Sequence, residues 1–132
     1  ETDPGERIVC LRNDHQFGLL NGSLWNITDI GSLGKEESIF NIVPEEKPDA
    51  AELEVLAHMH FFQGREQELP YWTRKDAQEF DYGYAITTHK AQGSQWDNVM
   101  VIDESWCFRD ARKNWLYTAI TRAAERVTVV KA

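Results

Sequence analysis

The sequence predicts a mixed α/β chain in which a small β-barrel-like domain, residues 1–80, precedes a parallel β-α-β-α-β unit, residues 81–132. Short apolar runs separated by turn residues fill the first part, whereas apolar runs alternate with a helical pattern in the second. The charge changes at the same place. Residues 83–132 carry seven basic and five acidic side chains, a net charge of +2, which leaves −10 for residues 1–82.

The composition is that of an ordinary globular chain. Of the 132 residues, 42% are hydrophobic and 11% aromatic, and no apolar run approaches the roughly 18 residues of a membrane span. The only cysteines, Cys10 and Cys107, form neither a disulfide framework nor a zinc motif and suit a reducing compartment. We therefore expect a cytoplasmic, intracellular protein without membrane partners. The net charge of −8 argues against nucleic-acid binding only if the chain is taken as a whole.

The first domain is predicted to consist of short strands. These are residues 8–11, 17–20, 23–30, 38–43 and 53–61. Asn21-Gly22 is typical of the type I′ turn of a hairpin. Apolar residues at two-residue spacing from Leu53 to Phe61 favour a strand, although Asp49 and Glu52 resemble a helix capping box. Several short strands with turn signals indicate a small barrel or curled sheet.

The second domain is predicted to alternate strands and helices. The strands are residues 84–87, 99–102 and 126–130, and the helices are residues 89–93 and 109–125. The longer helix is indicated by apolar residues that recur every three or four positions, such as Trp115, Ala119 and Ala123. This order implies parallel strands joined by right-handed crossovers.

Polar side chains cluster directly after the first of these strands. Thr88, His89 and Lys90 follow its carboxyl end, where ligands bind in open α/β sheets. Together with free N–H groups at the start of a helical turn, they predict a phosphate-binding site. The alternative is a polar crossover loop that only solubilises the sheet edge.

Arg122 is the unusual residue of the long predicted helix. It follows Thr121 at the end of an otherwise apolar and small-residue segment. An arginine held there could reach a neighbouring domain and neutralise phosphate charge. A salt bridge to a local acid such as Glu125 is an equal alternative on these residues alone.

Histidines and cysteines do not predict a metal site. His58 and His60 would share one face of the strand at 53–61, but no third ligand is near them in the sequence.

Two segments in the second domain resemble motifs V and VI of superfamily 1 DNA helicases. They are Thr-Thr-His-Lys-Ala-Gln-Gly-Ser at 87–94 and Leu-Tyr-Thr-Ala-Ile-Thr-Arg-Ala at 116–123. The resemblance is greatest to the RecD-like branch, which includes phage-type helicases and exonuclease V alpha subunits. Residues 11–14 with Asn21-Gly22 are similar to the start of an SH3-like barrel inserted in the second RecA-like domain of that branch. The resemblance therefore implies an SH3-like barrel followed by part of a RecA-like (P-loop NTPase-like) domain.

The resemblance also implies roles for single residues. The implied DNA-binding residues are Thr88, His89, Lys90 and Asn13. The implied nucleotide-binding residues are Gln92, Gly93, Gln95 and Arg122. Arg122 would be the catalytic arginine finger that meets the γ-phosphate of ATP. Gln95 departs from the family, which often has Glu there, and its neutral amide cannot serve as an anionic partner for magnesium-bound water or ribose.

Residues 99–104 imitate a Walker B strand, with Asp103 in the magnesium-binding position. No GxxxxGK[ST] phosphate loop accompanies it, because Gly34-Lys35 is followed by Glu36. We therefore interpret the segment as the strand that follows motif V. The chain would then hold half of an ATP site.

The chain begins with Glu1 rather than Met and has no signal-peptide pattern, so we expect a piece of a longer protein. ATP and Mg²⁺ would bind to the full-length protein, with an upstream RecA-like domain completing the site. The other implied partners are single-stranded DNA and nuclease-complex subunits, and these 132 residues alone would be inactive. The rival hypothesis is a non-catalytic interaction module that docks through an acidic barrel surface.

Overall fold

The computed structural model describes residues 3–131, which form two compact units, one ending at Ala85 and the other beginning at Ile86. The strands are β1 (Arg7–Cys10), β2 (Leu24–Ser32), β3 (Glu37–Pro44), β4 (Leu53–His58), β5 (Phe80–Tyr82), β6 (Trp96–Asp103) and β7 (Ala123–Lys131). The helices are α1 (Met59–Phe62), α2 (Tyr71–Asp76), α3 (Thr88–Ala91) and α4 (Arg112–Ile120). Two 3₁₀ segments, Glu66–Glu68 and Ser105–Ala111, complete the secondary structure of the described residues. The mixed α/β class is confirmed.

The first unit is built on an antiparallel sheet with the strand order β4-β3-β2-β1-β5. A register shift between Ile27 and Asp29 bends β2 against β3. The two edge strands, β4 and β5, do not pair with each other within residues 3–131, so the sheet is not a closed barrel. The side chain of Gln78 accepts a 3.1 Å hydrogen bond from the Leu56 N–H, which links the edge strand β4 to the segment before β5.

Alternate residues of the five strands face one core, as the two-residue period of a strand requires. The core residues on the strands are Ile8, Cys10, Trp25, Ile27, Phe40, Ile42, Val55, Ala57 and Phe80. The ring of Phe62 lies edge-on to Phe40 and to Tyr82, at centroid distances of 6.0 and 5.1 Å. Helix α1 therefore covers part of the same apolar face.

The loop between β1 and β2 differs from the predicted hairpin. Residues 17–20 do not form a strand, and of Asn21 and Gly22 only the glycine has a positive φ, +88°. The loop is closed instead by local hydrogen bonds, in which the Asn13 Oδ1 accepts from the Asn21 N–H at 2.7 Å. This path buries Leu19 completely.

The strand predicted at residues 53–61 ends at His58, and α1 begins at Met59. The two histidines therefore do not share a strand face. His60 Nε2 lies 2.7 Å from Glu36 Oε2, and His58 Nδ1 lies 3.7 Å from Glu37 Oε1. The chain turns here because Phe61 is buried in a second apolar cluster with Leu69 and Ala77.

Arg12 closes the first unit by binding the end of α2. Its guanidinium donates to the carbonyls of Arg74 and Ala77 at 2.9 and 2.8 Å, and also to the Lys75 carbonyl. Glu79 accepts from the same group at 3.2 Å. A cation is well suited to the carboxyl end of a helix, where backbone carbonyls lack partners.

The second unit contains the parallel pair β6 and β7, connected by the 3₁₀ segment Ser105–Ala111 and α4. The prediction of a strand at residues 84–87 is wrong. The strand nearest to this segment is β5, which ends at Tyr82 and pairs antiparallel with β1 in the first unit. The predicted β-α-β-α-β unit is therefore reduced to two parallel strands in residues 86–131.

The long helix predicted at residues 109–125 is shorter at both ends. Arg109 has φ +42°, a conformation that interrupts a right-handed helix, and α4 begins only at Arg112. Residues 123–125 belong to β7. Among residues 3–131, no helix is long and apolar enough to cross a membrane.

Candidate functional site

The polar segment at residues 87–94 forms a single helical turn followed by a reversal of the chain. The Thr87 Oγ1 accepts from the Lys90 N–H at 3.3 Å and caps α3. Thr88 is half-buried, whereas His89 and Lys90 are exposed. A hydroxyl, an imidazole and an ammonium group are thus presented by one short turn.

Gly93 makes the reversal after α3. Its φ is +87°, and an added Cβ would meet no atom within 4 Å, so backbone conformation rather than space favours glycine here. The Ser94 N–H then donates to the Ala91 carbonyl at 3.1 Å. The side chains of Gln92 and Gln95 on either side of this turn are exposed.

Arg122 joins the two helicase-like segments within the second unit. Its Nε donates to the Thr118 carbonyl at 3.0 Å, and one terminal nitrogen donates to the Ser94 carbonyl at 3.0 Å. The other terminal nitrogen donates to Thr121 Oγ1 at 3.2 Å. The backbone follows the same path, since the Trp96 N–H donates to the Arg122 carbonyl at 2.9 Å.

All three acceptors of the Arg122 guanidinium are uncharged. No ion pair found within residues 3–131 includes Arg122, so the alternative of a salt bridge to Glu125 is wrong. A guanidinium has five N–H groups, of which these contacts use three. Two N–H groups of this half-buried side chain, one on each terminal nitrogen, lie outside these contacts.

An open depression of about 160 Å³ lies between α3 and α4. It is lined by Thr88, His89, Gln92, Phe108, Ala111, Asn114, Trp115 and Thr118. Phe108 stacks on Trp115 at 5.5 Å between ring centroids and also lies 5.8 Å from the His89 ring. Sequence analysis does not indicate Phe108 or Asn114, because neither belongs to the recognisable segments and the predicted helix begins only at residue 109.

Asp103 serves a local structural purpose. Its Oδ1 accepts from the Ser105 N–H at 2.9 Å, and hydrogen bonds from Ser105 hold the pKa of this carboxyl below its ordinary value. Arg112 Nε donates in turn to the buried Ser105 Oγ at 3.0 Å. The carboxylate at the end of β6 thus organises the 3₁₀ segment that follows.

Within residues 3–131, no three His, Cys, Asp or Glu side chains come close enough together to hold a metal ion. Asn13 lies in the first unit, where its side-chain oxygen is occupied by the Asn21 N–H.

Both units have sequence similarity to known helicases. Residues 82–130 match the family model of the UvrD-like helicase C-terminal domain. The chain is 29% identical over 126 residues to the ATP-dependent RecD2 DNA helicase of Deinococcus radiodurans, covering 96% of this chain and 14% of that protein. It is 49% identical over 49 residues to the RecBCD enzyme subunit RecD of Mycolicibacterium smegmatis, covering 37% of this chain and 9% of that protein.

A solved structure shares the fold at low sequence identity. The Pif1 helicase from Bacteroides, crystallised in complex with ADP-AlF3 and ssDNA, matches 98% of this chain and 29% of its own with a TM-score of 0.57 and 16% identity. The chain spans only 14% and 9% of the lengths of the two curated relatives. Together these matches confirm the resemblance to the C-terminal part of RecD-like superfamily 1 helicases.

Proposed function

We propose that this chain, which matches the C-terminal part of RecD-like superfamily 1 helicases, supplies one side of the ATP site of a longer ATP-dependent DNA helicase. It would also supply part of that helicase's single-stranded DNA path. The observation that carries the proposal is the 3.0 Å hydrogen bond from Arg122 to the Ser94 carbonyl, which joins motif VI to motif V. Through this bond the residue proposed to act on nucleotide is held by the segment proposed to bind DNA.

Arg122 is proposed to be the arginine finger. Phosphoryl transfer develops negative charge on the γ-phosphate oxygens, and an arginine that reaches them stabilises the transition state. The two unused N–H groups of Arg122 and its uncompensated charge support this role. ATP with Mg²⁺ would supply the scissile phosphoanhydride bond, while Gln92, Gly93 and Gln95 would border the nucleotide.

Thr88, His89 and Lys90 are proposed to contact the backbone of single-stranded DNA. Hydroxyl, imidazole and ammonium groups are all suited to phosphate oxygens, and most protein–DNA hydrogen bonds are made to the phosphate–sugar backbone. The exposure of His89 and Lys90 on one turn supports this assignment. Asn13 is proposed as a further DNA contact through its amide nitrogen.

Residues 81–132 are proposed to be the C-terminal part of a second RecA-like domain, and residues 1–80 an SH3-like insertion in it. Parallel sheets are usually covered on both faces, yet Met100 and Ile102 on β6 are exposed. This exposure supports the presence of further RecA-like structure in the full-length helicase. Because these 132 residues contain no GxxxxGK[ST] phosphate loop, they alone would neither hydrolyse ATP nor unwind DNA.

The test is Arg122→Ala in the full-length helicase. We expect DNA-stimulated ATP turnover to fall by about 10³-fold or more, the usual effect of an arginine finger, while ADP binding changes little. Arg126→Ala, which removes an exposed cation from β7, is the matched control and should retain turnover. Unchanged turnover in the Arg122 variant would contradict the proposed function.

A further inference from the structure

The Thr121 hydroxyl lies between the last turn of α4 and the Arg122 guanidinium. Its Oγ1 is 2.7 Å from the Tyr117 carbonyl and 3.2 Å from the Thr118 carbonyl. A threonine hydroxyl has one proton, which the shorter contact directs toward Tyr117. The oxygen lone pairs then remain for the N–H that Arg122 donates at 3.2 Å.

We propose that Thr121 is a positioning residue that orients the Arg122 guanidinium for the γ-phosphate. This inference rests on the proposed function of Arg122 as the finger. An arginine side chain has many rotamers, and a finger contributes most to catalysis when it is already oriented before the charge develops. The hydroxyl is itself oriented by the carbonyls at the end of α4. Its contact with Arg122 therefore fixes the orientation of the guanidinium relative to α4.

Thr121 is the only side chain among the three acceptors of the guanidinium. The other two, at Thr118 and Ser94, are backbone carbonyls that no substitution removes. The three contacts hold Nε and both terminal nitrogens, so loss of the Thr121 contact releases one arm of the fork. Valine has nearly the same shape as threonine but no hydrogen-bond acceptor. Thr121→Val is therefore the variant that tests the loss of this contact most specifically.

We expect Thr121→Val in the full-length helicase to lower the kcat for DNA-stimulated ATP hydrolysis about tenfold to a hundredfold, the effect of a misplaced catalytic group. The KM for ATP should change little, since the contact matters most in the transition state. Affinity for ADP with aluminium fluoride, which imitates the transferring phosphoryl group, should fall while affinity for ADP alone is kept. Thr121→Ser, which restores the hydroxyl, should recover most of the turnover.

A purely structural role for Thr121 would give a different result. It would lower the melting temperature and weaken ADP and ADP–aluminium fluoride binding equally, and that outcome would overturn the inference. Thr128→Val on β7, an exposed position, is the control for losing a threonine hydroxyl in this unit. If Thr121→Val does not fold, Thr121→Ala removes the same acceptor without adding a methyl group.

The failures of the two proposals are distinguishable. Wild-type turnover in both Thr121→Val and Thr121→Ala, together with an inactive Arg122→Ala, would overturn the positioning role and leave the finger in place. Full turnover in Arg122→Ala would overturn the proposed function and this inference with it.

Discussion

The two units differ in where their apolar side chains lie. In the unit ending at Ala85, the five strands bury one common face, and Phe40 and Phe80 are each at most 1% exposed. In the unit beginning at Ile86, Met100 and Ile102 on β6 are 70% and 60% exposed. The first unit is thus stabilised by its own core, whereas the second pairs β6 with β7 over a smaller set of buried apolar side chains, Ala91, Val101 and Ala119. The proposed chemistry therefore lies in the unit with the smaller core.

The largest effect should come from opening the core of the first unit. Phe40→Ala removes a fully buried ring and should lower the free energy of unfolding by about 3–5 kcal/mol. Met100→Ala in the second unit should change it by less than about 0.5 kcal/mol, because the side chain is exposed. Urea titrations of both variants would measure the difference, and equal losses would contradict the comparison.

Hydrogen exchange would test the comparison without any substitution. Amide protons in β2 and β3, which are central in the five-stranded sheet, should exchange more slowly than those in β6 and β7. The physical reason is that exchange follows local opening, which requires less energy where few apolar contacts are lost. Equal protection in both sheets would mean that the second unit is as stable as the first.

Two glycines, one in each unit, allow the steric cost of an added Cβ to be compared with the conformational cost of a positive φ. A Cβ on Gly83 would lie 3.0 Å from the Ile8 carbonyl carbon and 3.0 Å from Leu24 Cδ2, so Gly83→Ala should cost about 1–3 kcal/mol through overpacking. The added Cβ of Gly93→Ala would meet no atom within 4 Å. This variant should therefore lose only the stability that a positive φ costs a non-glycine residue, about 1 kcal/mol. Thermal unfolding of the two variants would rank them, and the reverse order would contradict this account.

The smallest effect concerns pH and lies in the second unit. Because hydrogen bonds from Ser105 lower the pKa of Asp103 in the folded state, its ionised form adds stability above the ordinary carboxyl range, about pH 4. That contribution is lost as pH falls through the lowered value. Asp103→Asn should therefore melt slightly below wild type at pH 7 and equally at about pH 2. A gap that persists in acid would contradict the assignment.

Sequence patterns predicted most strands but not all of their partners. A strand is predicted at residues 84–87, but the strand that forms ends at Tyr82, because an apolar pattern does not reveal pairing with β1, about 70 residues earlier. Thr87 instead caps α3. Local periodicity identifies apolar segments, whereas strand pairing depends on contacts far apart in the chain.

The candidate site was predictable only in part. The motifs indicated Arg122 and the segment containing Thr88 and His89, but not the Ser94 carbonyl that Arg122 binds. Every residue has a backbone carbonyl, so its use as an acceptor leaves no pattern in the sequence. The stacking of Phe108 on Trp115 was equally hidden, because it depends on the break in the helix at Arg109.

The pairing of β1 with β5 determines when the first unit can be completed during synthesis. Strands β2, β3 and β4 pair with their neighbours in order and can form a meander as soon as they leave the ribosome. The second edge of β1 stays open until Tyr82 has been made, only six residues before Thr88. Contacts of such long sequence separation form slowly, so the first sheet cannot be completed before synthesis approaches the proposed DNA-binding turn.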